Sequence, residues 1–339
     1  MRVRKKQIVS IVGAVAIALA ALMVAIFLWP NTNHKITIKV TEDTPTAAFF
    51  SQMEQDSDGL KSSATLLLAS KLVYHKVVKP GKYVFDKRTC NLLILWKIRR
   101  GSHYPVKFSF GSVRTKSQLI SKLSKYDFLF EWSELSDLME DKRFLARYGL
   151  APETAIAAFR PDTYELYYDI SAEEFFDKMY SYYDKLWSEK RLADAHEIGL
   201  SPLEVMTLAS IVEEENYRDF EKPRIAGLYM NRLHKNMLLQ SDPTVKFAIG
   251  DFTLKRILSG HLRSPSPYNT YIYKGLPPGP IRIPATSSID AVLHYEHHKY
   301  LYMCAKEDFS GAHNFAVTYA EHQKNARKYQ QALNERGIK

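Results

Sequence analysis

Residues 201–216 have the sequence SPLEVMTLASIVEEEN and specify a helix more strongly than any other stretch of the chain. Ser201 is a typical N-cap, Pro202 suits the first helical position, and Glu204 can complete a capping box. The positions that follow are apolar almost all the way round, which is the pattern of a helix buried in a core. We therefore predict a core helix that runs from Ser201 to about Asn216.

Glutamates close this helix, and their positions suggest different roles. At about 100° per residue, Glu213 falls beside Met206 and Ala209, whereas Glu215 points about 200° away from Glu213. A carboxyl group next to Met206 and Ala209 would be partly desolvated, and desolvation raises its pKa. A carboxylic acid that stays protonated near neutral pH can protonate a glycosidic oxygen. Glu213 is therefore a candidate general acid, and the alternative is a helix-end glutamate that emerges into solvent.

Length and composition indicate a folded protein with about two domains. The chain has 339 residues, of which 46% are apolar and 25% charged, and these values exclude wholesale disorder. The formal net charge is +10, and the first seven residues supply four of these charges. Such a balance fits loose attraction to an anionic polymer or membrane, or simply a basic surface, and gives no support for nucleic acid. Because Cys90 and Cys304 are the only cysteines, a disulfide framework is excluded.

Residues 8–29 carry no charge and are long enough, at about 1.5 Å per residue, to cross a bilayer as one helix. A cleavable signal peptide is the alternative. Its apolar region is shorter and ends in small residues, whereas this one closes with Phe27, Trp29 and Pro30. The cations of the first seven residues predict an N-terminus in the cytoplasm. We therefore predict a single-pass protein of the cytoplasmic membrane, with tail 1–7 inside and the part after residue 29 outside.

The remainder has the mixed patterns of an α+β protein. Alternation of polar and apolar residues predicts strands over 35–40 and 104–110. Pro80 and Gly81 indicate a turn. Helical periodicity predicts helices over 63–73, 91–98, 115–123, 133–148, 171–187 and 318–334.

Seven blocks of sequence resemble, in order and spacing, the MltG (YceG-like) family of endolytic murein transglycosylases. They are ASIVEEE (209–215), NRL (231–233), LQSDPTV (239–245), SPYNTY (266–271), GLPPGPI (275–281), YLY (300–302) and HNF (313–315). Upstream, KPGKY (79–83) is similar to the family's LysM-like subdomain. The resemblance implies a small LysM-like subdomain over 30–105, a connecting part over 106–199 and a mixed α/β catalytic core over 200–339.

One segment departs from the family pattern. FRPDTY (159–164) is similar to the family's Phe-Pro-Asp-Thr-Tyr segment, but Arg160 is inserted after Phe159. Ala155-Ile156-Ala157-Ala158 also replaces the Glu-Gly pair expected just before it. The sequence therefore gives no support for substrate contacts from this region.

The resemblance implies cleavage of peptidoglycan glycan strands between N-acetylmuramic acid and N-acetylglucosamine, leaving 1,6-anhydro-muramyl ends and trimming or terminating nascent strands. The muramyl 6-hydroxyl attacks its own anomeric carbon, so one carboxyl group can act first as acid and then as base, and no cofactor is needed. By its place in the motif, that residue is Glu213. Glu215 is the secondary candidate, interpreted from sequence as a structural partner. A muramidase that uses water would need a second carboxylate, for which Asp242 is the available motif acid.

The same motifs suggest residues that bind the substrate. Amides suit sugar hydroxyls, and tyrosines offer apolar faces to pyranose rings. The predicted set is Asn231, Gln240, Ser241, Asp242, Tyr268, Asn269, Thr270, Tyr271, His313 and Asn314. Several of these residues have a structural alternative: Asp242, for example, is a plausible N-cap before Pro243. The stiff loop 275–280 is either a wall of the cleft or a rigid connector.

Partners follow from the same interpretation: peptidoglycan glycan strands, the inner membrane and, as a further hypothesis, peptidoglycan synthases. A binding scaffold for such synthases is the alternative to an enzyme.

A metal site is not predicted. A histidine pair at metal-ligand spacing would result if His294, His297 and His298, with Glu296, lay on a helix, but a third ligand is missing.

Overall fold

The computed structural model describes residues 2–55, 59–73, 77–101, 104–216, 218–254 and 256–336. Within them the chain combines helices with small two-stranded sheets. The backbone contacts divide it into two compact units. Unit 1 comprises Met1–Lys107, Tyr126–Phe130 and Glu165–Ser171, and unit 2 comprises Phe108–Lys125, Glu131–Tyr164 and Ala172–Lys339.

The N-terminal helix α1 (Arg2–Leu28) contains an apolar stretch, Val9–Leu28, that is long enough and apolar enough to cross a membrane. Its mean hydropathy is 2.9. Most of its described side chains are exposed, but Ile26 and Phe27 are only 7% and 9% exposed because they pack into the core of unit 1. The helix is consistent with the predicted single-pass anchor.

The rest of unit 1 begins with two strands that enclose two helices: β1 (Ile36–Val40), α2 (Thr46–Gln55), α3 (Ser63–Val73) and β2 (Gly81–Phe85). The strands pair in antiparallel fashion, with Ile36 opposite Phe85. Alternate residues of β1 are buried, as its polar and apolar alternation predicts. A further helix, α4 (Asn91–Arg100), follows β2. Asn91 donates through Nδ2 to the carbonyl of Ile26 at 2.8 Å, which ties the end of α1 to this unit.

The middle of the chain contains two paired strands, β3 (Pro105–Phe110) and β4 (Asp162–Tyr167). The helices of this region are α5 (Lys116–Leu123), α6 (Trp132–Leu138), α7 (Lys142–Ala146), α8 (Ala172–Leu186) and α9 (Glu189–Glu197). The single helix predicted over 133–148 is wrong. Asp141 interrupts it because its carboxylate accepts from the backbone amides of Arg143 and Phe144 and so starts a new helix. Residues 155–158 form a fully buried 3₁₀ turn.

The core of unit 2 surrounds α10 (Pro202–Glu215). Ser201 and Glu204 form the predicted capping box, and every residue from Val205 to Val212 is buried. This confirms the core helix. The later elements are α11 (Lys222–His234), α12 (Asp242–Ile249), α13 (Thr286–Leu293), β5 (Tyr302–Ala305), β6 (His313–Ala316) and α14 (Tyr319–Glu335), with a 3₁₀ turn at His261–Arg263.

Two local predictions in unit 2 are corrected. The N-cap of α12 is Ser241, and Asp242 is its first helical residue. The histidines at 294–298 do not lie on a helix, because α13 ends at Leu293. Among the described residues, no cluster of three His, Cys, Asp or Glu side chains could hold a metal ion.

Candidate active site

A polar cavity of about 290 Å³ lies in unit 2, beside the C-terminal end of α10. Side chains of α11, the segment leading into α12, β5 and β6 complete its wall. The lining residues are Glu215, Leu228, Tyr229, Arg232, Leu239, Gln240, Asp242, Tyr271, Met303, Cys304, Ala305 and His313. Polar groups from separate parts of the sequence thus converge on one site.

Glu215 presents its carboxyl group to this cavity. Oε1 accepts a hydrogen bond of 2.5 Å from the Tyr229 hydroxyl and one of 2.6 Å from the Ser241 hydroxyl. Burial raises the pKa of Glu215, because a carboxylate loses its hydration when it leaves water. The hydrogen bonds from Ser241 and Tyr229 lower the pKa and oppose the effect of burial. Burial is the larger effect, so the pKa of Glu215 stays above the ordinary value of a glutamate.

Arg232 fixes the wall next to Glu215. It is buried, and burial lowers its pKa. Its Nη1 donates to the carbonyls of Leu238 and Leu239 at 3.0 and 2.9 Å and to Oε1 of Gln240 at 3.2 Å. Gln240 itself has a φ of +53°, in the left-handed region that few residues other than glycine adopt. Arg232 therefore holds a strained segment with the exposed Gln240 side chain at the cavity.

Asp242 and Tyr271 form a second polar pair in the same cavity. The Tyr271 hydroxyl donates to Oδ1 of Asp242 at 2.6 Å. Burial, reinforced by the negative charge of Asp242, raises the pKa of Tyr271, so its phenol stays protonated. The pair offers one acceptor group and one aromatic ring to a ligand.

His313 reaches the cavity from β6 and is held by Glu221. The Glu221 carboxylate is 4% exposed and accepts from the backbone amide of His313 and from Nδ1 of its ring, both at 2.9 Å. Nδ2 of Asn216 also donates to it at 2.5 Å. Because a carboxylate only accepts hydrogen bonds, Nδ1 carries the proton. This leaves Nε2 as the ring nitrogen available to a ligand.

Glu213 and Glu214 lie in a different environment, an ion-pair network with Arg114 and Arg282. Glu214 is paired with Arg114 Nε at 2.7 Å and with Arg282 Nη1 at 2.9 Å. Oε1 of Glu213 lies 3.2 Å from Arg282 Nη2. Oε2 of Glu213 accepts from the backbone amide of Ala285 at 2.5 Å and from the Ser288 hydroxyl at 2.9 Å, at the start of α13. The network ties α10 to α13 and to the loop before it.

Comparison with known proteins supplies the decisive observation. A family model described as the YceG-like family matches residues 38–328, most of the chain. The chain belongs to the YceG-like family. A crystal structure of a yceG-like protein from Listeria monocytogenes is similar to it, with a TM-score of 0.56 and 27% identity over 86% of this chain and 98% of that one.

Curated relatives of this YceG-like chain carry one name. The "Endolytic murein transglycosylase" of Bacillus subtilis is 42% identical over 132 residues, 39% of this chain and 36% of its own length. The protein of that name from Streptococcus pneumoniae is 28% identical over 173 residues, 50% of this chain and 31% of its own length. The matches thus span about a third of each curated relative.

The YceG-like motifs do not all converge on the cavity. Gln240, Asp242, Tyr271 and His313 line it, and Ser241 contacts Glu215 from a fully buried position. The other predicted binding residues mainly support the backbone or lie elsewhere. Asn231 donates to the carbonyls of His298 and Tyr300, and Asn269 donates to those of Leu262 and Ser264. Thr270 accepts from the backbone amide of Ser241, and Asn314 donates to Glu307. Tyr268 lines a separate cavity together with Phe247.

Three site residues were missed from the sequence. Tyr229 and Arg232 are separated by three positions on α11 and therefore share a face. That spacing was a usable signal, although nothing in it indicates that the face meets Glu215. Glu221 has no comparable signal, because its partner His313 lies 92 positions away.

The loop 275–280 lies elsewhere in unit 2. Gly279 passes so close to the Glu153 carbonyl that a Cβ atom at this position would clash with that oxygen. Pro280 lines the cavity shared with Tyr268 and not the one that contains Glu215. The described contacts of the loop fit a connector packed against the fold.

Proposed function

We propose that this YceG-like chain is a lytic transglycosylase that cleaves peptidoglycan glycan strands, with Glu215 as its single acid and base. The observation that carries the proposal is the Glu215 carboxyl group, which has a raised pKa and opens into a polar cavity. A protonated acid is what the glycosidic oxygen requires. The names of the curated relatives support the substrate class.

The proposed reaction needs one carboxyl group. Glu215 gives its proton to the oxygen that links N-acetylmuramic acid to N-acetylglucosamine, and the glycosidic bond breaks. The muramyl 6-hydroxyl forms a bond to its own anomeric carbon and loses its proton to the Glu215 carboxylate. The products are a 1,6-anhydro-muramyl end and a free N-acetylglucosamine hydroxyl, and no water is consumed.

The environments of the two candidate glutamates favour Glu215 over the sequence-based choice of Glu213. Both oxygens of Glu213 are already engaged, one by Arg282 and the other by Ala285 and Ser288. Glu213 also does not line the cavity that contains Glu215. We therefore assign Glu213 a structural role and keep it as the alternative that mutagenesis tests.

Binding of the glycan is assigned to the other side chains of the cavity. Gln240 can donate to and accept from hydroxyl groups, and Nε2 of His313 can bond to a hydroxyl or acetamido group. Tyr271 offers its ring to a pyranose face. Asp242 can accept from a sugar hydroxyl. Ser241 acts on Glu215 and not on the glycan.

A muramidase that uses water is the second candidate, and one observation favours it. Asp242 lines the same cavity as Glu215, so two carboxylates are present, as most glycosidases require. In that scheme Asp242 would activate water or attack the anomeric carbon, and the product would carry a reducing end. The hydrogen bond from Tyr271 already occupies Oδ1 of Asp242, which favours the single-carboxyl scheme.

We also propose that α1 is retained as a single-pass anchor, with the N-terminus in the cytoplasm and the enzyme outside. Removal of α1 as a signal peptide would take Ile26 and Phe27 from the core of unit 1. Residues 30–105, which contain β1, α2, α3, β2 and α4, are assigned to the LysM-like subdomain. Synthase recruitment by a catalytically weak scaffold remains the alternative function.

Product analysis tests the proposed activity. Purified glycan strands are digested with the full chain, and the new ends are identified by mass spectrometry and by reduction with borohydride. The proposal predicts anhydro ends that resist reduction. Reducing muramic acid ends would establish the muramidase, and intact strands at high enzyme concentration would favour the scaffold.

A further inference from the structure

Unit 1 has an unusual concentration of exposed apolar side chains on α3 and α4. On α4, Leu92 is 45% exposed, and Leu93 and Trp96 are each 50% exposed. On α3, Leu68 and Leu72 are exposed as well. Soluble proteins seldom display large apolar side chains in groups, and such groups mark surfaces that bind something.

The exposed residues of α4 form a second apolar face, distinct from the one that packs on the core. The buried face contains Asn91, Ile94, Leu95 and Ile98. At about 100° per residue, Leu92, Leu93 and Trp96 fall within roughly 100° of one another on the opposite side. A helix that is apolar on both faces is expected where it lies between a protein core and another apolar phase.

The position of these helices identifies that phase. Both α3 and α4 contact α1 and each other, and Ile26 and Phe27 belong to the same core as Leu66 and Ile94. About 20 apolar residues span the hydrocarbon layer, so in the stretch Val9–Leu28 these two residues lie at its outer edge. Helices that pack on Ile26 and Phe27 must therefore lie at the membrane surface.

Basic side chains accompany the exposed apolar side chains of α3 and α4. Lys71, Arg99 and Arg100 are exposed beside the apolar side chains of α3 and α4. The Arg100 guanidinium lies 4.5 Å from the centre of the Trp96 ring. Basic residues next to tryptophan and leucine are the composition of helices that lie in the interface of a bilayer, where the cations meet lipid phosphates.

We propose that the exposed apolar residues of α3 and α4, namely Leu67 at 37% exposed, Leu68, Leu72, Leu92, Leu93 and Trp96, form one face that binds the surface of the membrane that α1 crosses. Unit 1 is then held on the bilayer by two contacts, the spanning helix and this face. The inference rests on the retained anchor. It is independent of which glutamate is catalytic.

Photocrosslinking to lipid tests this inference in the full chain. A benzophenone amino acid is introduced singly at Leu93, at Leu68, at Ile17 in α1 as the positive control, and at Leu192 in α9, whose exposed fraction of 45% equals that of Leu92. Each variant is inserted into vesicles of phosphatidylethanolamine and phosphatidylglycerol and irradiated. Lipid adducts are then measured by mass spectrometry.

If this face binds the membrane, lipid adducts should form at Leu93 and Leu68 in yields comparable to that at Ile17. No adducts above background should form at Leu192. Adducts at Ile17 alone, or a crosslink from Leu93 to a second copy of the chain, would overturn the proposal. Absence of adducts at Ile17 would overturn the anchor and the proposal with it. Because no glycan is present, this outcome and that of the product analysis are independent.

Discussion

The hydroxyl oxygen of Ser241 lies 2.6 Å from Oε1 of Glu215, where the N-cap of α12 meets the end of α10. Tyr229 donates to the same oxygen from α11. Three helices thus meet at one carboxyl group, whose pKa is raised by burial and lowered by these two donors. The arrangement has direct consequences for the dependence of activity on pH.

We predict that Tyr229→Phe and Ser241→Ala each move the alkaline limb of the pH profile to higher pH. In the proposed reaction Glu215 acts first as an acid, so the catalytic efficiency should fall as its carboxyl group ionises. Each donor stabilises the ionised form, and its removal raises the pKa further. The measurement is kcat/KM on isolated glycan strands as a function of pH.

Tyr268→Phe is the matched control for this experiment, because Tyr268 lines a different cavity and has no contact with Glu215 among its described partners. Its alkaline limb should coincide with that of the unmodified chain. A limb that moves to lower pH in Tyr229→Phe, or one that stays in place in both site variants, would contradict the assigned role of Glu215.

The sequence predicted the helix that carries the candidate site and part of the cavity lining, and the choice between Glu213 and Glu215 shows where prediction stopped. Helical geometry correctly separated the two glutamates, and the capping box at Ser201 correctly set the start of α10. Helical geometry shows which residues share a face of a helix, but not which other elements pack against that face. Arg282, which engages Glu213, and Ser241, which engages Glu215, lie 69 and 26 positions away. Long-range contacts of that kind are set by tertiary packing.

Tertiary packing also decides which of the predicted binding residues reach the cavity. Asn231 and Asn269 have side chains that suit sugar hydroxyls, yet both satisfy backbone carbonyls of loops. A buried or partly buried amide serves either purpose, and residue type alone does not distinguish them. By contrast, Gln240 lines the cavity, and Arg232 bonds to the carbonyl of Leu239 just before it and to its side-chain Oε1.

We predict that His313→Ala lowers kcat/KM by roughly tenfold, chiefly through a higher KM, because one hydrogen bond to the glycan is lost. Glu221→Gln should have a smaller effect in the same direction, since it disturbs the tautomer and orientation of His313 without touching the glycan. Steady-state rates on isolated strands measure both. His196→Ala, at an exposed position of α9, is the control and should be unchanged. An unaltered KM in His313→Ala would remove His313 from the binding site.

We predict that Arg282→Met lowers the free energy of unfolding by about 3 kcal/mol, because the largely buried carboxylates of Glu213 and Glu214 both lose their ion pair with Arg282. Glu213 and Glu214 are only 11% and 12% exposed. Urea denaturation is the measurement. The control is Arg224→Met, which breaks a surface ion pair between Arg224, 44% exposed, and Glu296, 42% exposed. This variant should lower the free energy of unfolding by less than about 1 kcal/mol. Equal losses in the two variants would show that the network adds nothing beyond a surface ion pair.

Truncation tests the junction between α1 and unit 1. A chain that begins at residue 24 keeps Ile26, Phe27 and the hydrogen bond from Asn91, whereas a chain that begins at residue 30 loses them. We expect the longer chain to be more stable by about 4 kcal/mol, from the burial of two large apolar side chains. Urea unfolding of the two purified proteins measures the difference. Equal stability would mean that the end of α1 does not contribute to the core.

The most direct test of the central claim compares Glu215→Gln with Glu213→Gln in the rate of glycan cleavage, with folding checked by circular dichroism. Glutamine keeps the shape of each side chain but cannot donate and recover a proton. We predict that Glu215→Gln loses more than about 100-fold in rate while it remains folded. Glu213→Gln should stay within about tenfold of the unmodified chain, with lower stability because its pairing with Arg282 is weakened. The opposite ranking would contradict the account and return the acid to Glu213.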